Sequence, residues 1–338
     1  MRVGILGGGG WGTALACVVA RNADEVVVWV REDVVREEIL LRRTNSSFLP
    51  GVLLPQNVAP VGTFARFAEC DLVIIAVPSA FVRGTAELLR LHLRSGTPVV
   101  SAAKGLELGT NMRLSSVLRE VLGTGHPLAV LSGPNIALEV ARGMPSAAVV
   151  ASGDALVASV AQRILMTGSF RVYTNHDLIG VELGGALKNV IALAAGVIDG
   201  LEYGDNTKAA LMTRGMTEIV RLGKALGAET STFAGLSGMG DLIVTCTSAH
   251  SRNRRAGLAL GQGRNLAEVQ GSTPMVIEGV NTTRAAYQLA QAQGVEMPIT
   301  EALYDVLFNH RHPREAVMEL MTRDRKNETE EHLPAFAK

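Results

Sequence analysis

Lys188 lies inside "LGGALKNVIALAAG" (residues 183–196), a run of small and apolar residues with helical spacing. A lysine is almost never fully buried unless it is paired. Only six of the 32 basic residues are lysines, so arginine supplies the ordinary surface charge. Lysine sheds its proton when desolvated and arginine in practice does not, so a lysine here suits proton transfer. The bland alternative is a side chain that snorkels out of an apolar helix with its ammonium in water.

Other candidates sit where chain direction changes. In "GGGGWG", Gly7, Gly9 and Gly12 form G-x-G-x-x-G directly after an apolar run and before a helix opening at Thr13. The first glycine makes the tight turn and the second admits a pyrophosphate. The third lets helix and strand pack closely, with the helix N-terminus aimed at the phosphates. A glycine-rich turn with no ligand is the alternative. After the next apolar run comes "VVVWVRED", where Arg31 precedes Glu32. Arginine can pair with a 2′-phosphate and an acid can hold a ribose 2′-OH, although Arg31 also fits a solvated strand-end charge. A strand end gives consecutive side chains opposite directions, so Glu32 is expected to point away from Arg31, to solvent.

"DLVIIAVPS" and "SAAKGLE" place Pro78–Ser79 and Lys104 at the ends of apolar runs, the edge where open parallel sheets keep ligands. "LSGPNIALEVA" adds a Gly-Pro turn and a short helix expected to begin near Asn135. In "GLSGMGDLIVTCTSAHSRNRR", Arg252 can fork onto phosphate oxygens with Ser251 and Asn253 donating beside it. A nucleic-acid patch at Arg252, Arg254 and Arg255 lacks interleaved aromatics and overall basicity.

Strands are expected at residues 3–6, 26–29, 72–77, 98–102, 128–131, 147–151 and 170–173, with helices between most of them. Near-continuous apolar strands alternating with helices imply a parallel sheet covered on both faces. From about residue 177 the segments are long, rich in alanine and leucine, and helical in spacing. The expected fold is a Rossmann-type, doubly wound, mostly parallel α/β domain (1–175) followed by an all-α domain (176–325) and a polar tail (326–338).

With 338 residues, 47% hydrophobic and 19% charged, the chain can bury two ordinary cores. Zero formal charge argues against a polyanion-binding surface. Three scattered cysteines fit a reducing cytoplasm and lend metal ligation little support. The N-terminal apolar run is too short for a secretory segment. No run is expected to reach membrane-spanning length, the stretch 190–198 being closed by Asn189 and Asp199. The expectation is a cytoplasmic protein with neither nucleic-acid binding nor membrane insertion.

Together these motifs resemble the bacterial-type, biosynthetic NAD(P)-dependent glycerol-3-phosphate dehydrogenases over nearly the whole chain. "GGALKNVIALAAG" and "GMGDLIVTCTSAHSRNRR" carry the most specific part, supported by "KGLE", "SGPNIALEVA", "VIEGVNT" and "GVEMPIT". The resemblance implies reduction of dihydroxyacetone phosphate to sn-glycerol 3-phosphate for phospholipid synthesis, with NADP preferred over NAD, in a homodimer. Lys188 matches the proton-transferring lysine, with Lys104 as a second cation and Asp241 ordering the group. Cofactor contacts are implied for Gly10, Trp11, Arg31, Phe48, Lys104, Ala137, Arg252, Val276 and Glu278. Substrate contacts are implied for Lys104, Gly133, Asn135, Lys188, Asp241, Ser251, Arg252 and Asn253. Two details depart from the pattern: four successive glycines in the turn, and asparagine at 135 where serine or threonine is common.

An amine at Lys188 serves both directions of such a reaction if its pKa is pulled to roughly 7–8 by apolar surroundings and a second cation. Two other readings share the early motifs. A β-hydroxyacid or phosphogluconate-type dehydrogenase keeps the fold and changes the substrate. A redox sensor that binds NAD(P) without turnover would need neither Lys104 nor Lys188.

Overall fold

A computed structural model describes residues 1–273, 275–325, 327 and 328. Most of the expected polar tail, 326–338, lies outside the described residues. Eight strands form one sheet: β1 Arg2–Leu6, β2 Glu25–Trp29, β3 Val58–Val61, β4 Leu72–Ile75, β5 Val99–Ser101, β6 Leu128–Ser132, β7 Ser146–Ala151 and β8 Phe170–Asn175. Their order is β3-β2-β1-β4-β5-β6-β7-β8. The order reverses between β1 and β4, which pair in parallel from Val3↔Leu72 to Leu6↔Ile75. That switch point opens a crevice at the carboxyl ends of both strands.

The sheet is mostly parallel, and the single exception is the antiparallel β6–β7 pair. Strand β3 escapes the sequence expectation. It has four residues, carries Pro60 and lies at the sheet edge, where a missing N–H costs least.

Helices α1 Gly10–Val19, α2 Asp33–Arg42, α3 Val82–Arg90, α4 Leu114–Leu122, α5 Ala137–Ala141 and α6 Ala155–Leu165 belong to the sheet domain. One apolar cluster joins a sheet face to α1 and α6, and another joins the opposite face to α3 and α4. Helix α1 begins at Gly10, inside the glycine motif and three residues earlier than expected. Helix α2 was not legible because eight of its ten residues are charged or exposed, which hides the apolar pair Val35 and Ile39.

After β8 the described residues contain only helices: α7 Leu178–Gly200, α8 Asp205–Ala225, α9 Asp241–Thr247, α10 Arg252–Gly261, α11 Leu266–Gly271, α12 Glu278–Gln293, α13 Pro298–Phe308 and α14 Pro313–Thr322. Helix α7 is the axis of this domain, buried without interruption from Gly180 to Ile198. Helices α8, α9, α10, α12 and α13 pack around it. Burial all round explains why its sequence shows no polar face.

The expectation that no segment reaches membrane-spanning length needs correction. Helix α7 runs on through Lys188 and Asn189; with 23 residues and an 18-residue window of mean hydropathy 1.6 it is long and apolar enough to cross a membrane. Its apolar window is nonetheless entirely buried inside the protein, as the core of a helical bundle requires.

Candidate active site

The cleft between sheet and bundle is built around one carboxylate. Asp241 opens α9 and is 1% exposed. Its Oδ1 accepts from Lys188 Nζ at 2.5 Å and its Oδ2 from Lys104 Nζ at 2.6 Å. Lys188 also donates to Thr245 Oγ1 at 2.7 Å, and that hydroxyl donates to the Asp241 carbonyl one turn earlier. Lys104, three residues beyond β5, donates its second bond to the Gly133 carbonyl at 2.8 Å. Two ammonium groups therefore share a single buried counter-charge.

Burial lowers the Lys188 pKa most, Asp241 opposes that, and the Lys104 ammonium lowers it again; the balance stands at about 8. The lysine does not snorkel out. It is 7% exposed and its ammonium is held on two named oxygens.

A second chain of buried amides fixes the neighbouring backbone. Asn189, directly after Lys188, donates to the Lys104 carbonyl at 3.4 Å and accepts from Asn253 Nδ2 at 2.8 Å. Asn253 Oδ1 accepts from Gly279 N–H at 2.9 Å. Asn253 thus ties α7, α10 and α12 together beside Arg252, with one of its two Nδ2 hydrogens spent on Asn189. Arg252, the first residue of α10, is exposed at the cleft and reaches the Val276 carbonyl at 3.3 Å. Ser251 caps that helix by accepting from Arg254 N–H. Arg254 is committed to Asp199 at 2.6 Å, so the arginines of this segment are not one free basic patch.

Sequence reasoning singled out neither Thr245 nor Asn189 as site residues. An asparagine beside a buried lysine was the available signal for Asn189, since a buried amide must find partners. Nothing local marked Thr245, whose role depends on one turn of α9 facing α7.

The glycine motif lies at the switch point. Gly7 has φ +122° and a Cβ there would stand 2.8 Å from the Ala76 carbonyl oxygen, while one at Gly12 would overlap the Gly7 carbonyl oxygen. No side chain caps α1, whose N-cap is Gly9, so its first N–H groups are left to a ligand or water. Asn45 donates to the Gly8 carbonyl and Thr13 hydroxyl, each at 2.8 Å, and holds the loop carrying Phe48 against Gly10. The Trp11 Nε1 beside it is buried without a protein partner. A cradle with unspent N–H donors, lined by glycine, fits a dinucleotide pyrophosphate.

Two local details differ from expectation. Arg31 and Glu32 do not point apart: Arg31 Nε and Nη2 both donate to Glu32 Oε1, at 2.9 and 2.6 Å. Strand β2 ends at Trp29, so the strand alternation no longer governs these side chains. Arg31 also lies 5.9 Å from the centroid of the Phe81 ring. The short helix expected near Asn135 begins at Ala137, and Asn135 Nδ2 is turned to the Ala147 carbonyl at 3.0 Å. Asn135 Oδ1 is buried with no protein partner.

Glu278, first in α12, is held by Ser79 of the sheet domain. No group of three His, Cys, Asp or Glu side chains among the described residues could hold a metal ion.

Comparison with known proteins agrees with this architecture. Residues 2–158 match the sequence model of the NAD-dependent glycerol-3-phosphate dehydrogenase N-terminus, and residues 177–318 match that of its C-terminus. The chain is 53% identical to glycerol-3-phosphate dehydrogenase [NAD(P)+] of Desulfitobacterium hafniense (strain Y51), over 98% of this chain and 94% of that one. It is 51% identical to the protein of the same description from Geobacter sulfurreducens, over 97% and 98% of the two chains. The crystal structure of glycerol-3-phosphate dehydrogenase from Coxiella burnetii superposes with a TM-score of 0.91 at 38% identity, covering 95% of this chain and 99% of that one. With a dinucleotide cradle at the sheet's switch point, a lysine pair on one buried carboxylate, and these relatives over almost its full length, the chain belongs to the NAD(P)-dependent glycerol-3-phosphate dehydrogenase family of oxidoreductases.

Proposed function

We propose that the protein reversibly reduces dihydroxyacetone phosphate to sn-glycerol 3-phosphate with NAD(P)H, with Lys188 carrying the proton. The observation that supports this most is the Lys188–Asp241–Lys104 group, with Lys188 brought to a pKa of about 8. When bound, the nicotinamide supplies a hydride from its C4 to the substrate C2. The Lys188 ammonium gives one proton to the C2 oxygen as its carbonyl bond is reduced, and is left as a neutral amine. In the reverse direction the neutral amine takes that proton back. Asp241 holds both lysines in reach, and Lys104 keeps the Lys188 pKa low enough for either role.

In this reading residues 1–175 carry the cofactor and 176–325 grip the substrate. Arg252 and Ser251 lie at the start of α10, where a phosphate meets both a guanidinium and a helix N-terminus. The rest of the reading comes from the family resemblance: a homodimer in the cytoplasm that supplies glycerophospholipid synthesis.

The test is the pH dependence of both directions. Reduction requires the ammonium, so its kcat/KM is expected to fall as pH rises through about 8. Oxidation requires the amine, so its kcat/KM is expected to fall as pH drops below the same value. Profiles that move together, or no oxidation of NADPH on adding dihydroxyacetone phosphate, would overturn the reading.

Cofactor preference is proposed to lean to NADPH through Arg31. The Glu32 carboxylate competes for that guanidinium, so both cofactors are accepted: a 2′-phosphate takes Arg31 over, and a 2′-OH leaves the pair in place. Arg31→Ala is expected to weaken NADPH more than NADH by roughly 1–3 kcal/mol, read from kcat/KM for each. Equal losses would assign Arg31 to adenine contact alone.

A further inference from the structure

Three carboxylates of the helical domain, two of them buried, reach across to the sheet domain. Asp241 belongs to the lysine pair, and Glu182 on α7 receives Ser115 N–H, Ser115 Oγ and Arg113. The third is Glu278. We propose that Ser79 is a positioning residue for the reaction, whose backbone N–H and hydroxyl clasp the Glu278 carboxylate and hold the two walls of the cofactor cleft in register.

Ser79 Oγ donates to Glu278 Oε2 at 2.5 Å and Ser79 N–H donates to Oε1 at 2.9 Å. Both carboxylate oxygens are thereby engaged from one residue, which is itself 3% exposed. Ser79 opens the 3-10 turn Ser79–Phe81 that leads into α3, so its N–H is one of the unpaired donors of a helix start. Glu278 stands in the first turn of α12. The Glu278 carboxyl therefore lies between the start of α12 and the Ser79 turn, which belong to different domains. Burial pushes the Glu278 carboxyl pKa up, and the two Ser79 bonds and Arg252 pull it back.

The clasp touches both halves of the site. A Cβ on Gly105, next to Lys104, would stand 2.7 Å from Ser79 Cβ and 3.1 Å from Glu278 Oε2. The Lys104 loop thus passes directly over the clasp with no room for a side chain. On the other side, Gly279 is bonded to Asn253 and Val276 to Arg252, which anchors the same segment to α10. Through Glu278 the start of α12, itself tied to α10, is joined to the turn after β4, the strand that ends beside Gly7.

The inference rests on the proposed placement of the cofactor along that edge. Ser79→Ala removes the hydroxyl and keeps the N–H. It is expected to raise KM for NADPH about tenfold, as for loss of one hydrogen bond to a charged group, with kcat within about twofold. A clasp that holds the cleft walls acts on ground and transition states alike, which is why KM moves and kcat does not. In a double-mutant cycle scored by NADPH titration, Ser79→Ala should cost little more once Glu278→Ala is present.

Unchanged KM, kcat and Tm falling together, or additive losses in the cycle would each overturn the proposal. Failure of the cofactor placement itself looks different: Arg31→Ala would then leave NADPH affinity unchanged, whatever Ser79→Ala does.

Discussion

Lys188→Ala is expected to lower kcat by about 10²–10⁴-fold, the usual contribution of a general acid–base group. The methyl group leaves Asp241 with Lys104 and the Thr245 hydroxyl, so the carboxylate keeps a cation and the fold has no orphaned charge. Cofactor affinity should persist, because the glycine cradle lies at the β1–β4 switch point and α7 does not form it. Stopped-flow reduction and a separate NADPH titration divide the two effects. Turnover within a few-fold of wild type would remove Lys188 from the mechanism. Restored turnover on adding a small primary amine would strengthen its assignment, since the vacated space would admit the missing base.

The second large effect is expected at Arg252. Arg252→Ala should raise KM for dihydroxyacetone phosphate by about 10–100-fold, the range for a lost charge-assisted hydrogen bond. Arg252→Lys keeps the charge and loses the planar fork, so it should fall between the two. The bond to the Val276 carbonyl at 3.3 Å is long and leaves the remaining guanidinium donors for a phosphate. Comparing dihydroxyacetone with its phosphate ester checks the assignment directly. If wild type reduced both equally well, no phosphate grip would exist at α10.

The two effects differ in kind, which makes them diagnostic together. A proton-transfer group acts in the transition state and lowers kcat. A phosphate grip distant from the reacting carbon acts on binding and appears mainly in KM. A redox sensor without turnover would show neither.

Much of this was legible in the sequence because it depends on local pattern. Apolar runs separated by helical spacing imply a covered parallel sheet, and glycines at 7, 9 and 12 after the first run mark the turn to α1. The oddity of a lysine in an apolar stretch is also a one-dimensional fact, and it led to the residue at the centre of the cleft. Elements whose signal is weak locally were lost. Edge strand β3 is short and contains proline, and the charged residues of α2 mask its few buried positions.

What the tertiary structure alone decided is partnership. Lys104, Gly133, Lys188 and Asp241 are scattered over more than a hundred residues, and only the packing of α7 and α9 against the ends of β5 and β6 joins them. Whether Lys188 is held inside or snorkels, and therefore where its pKa falls, depends on that desolvation and on charges distant in sequence. The same holds for Asn253, whose bonds to Asn189 and Gly279 no local pattern marks, and for Glu32, expected to face solvent and found paired with Arg31. Residue types and spacing state which chemistry a chain can attempt. Hydrogen bonds and burial, which arise between residues far apart in sequence, decide which atom meets which.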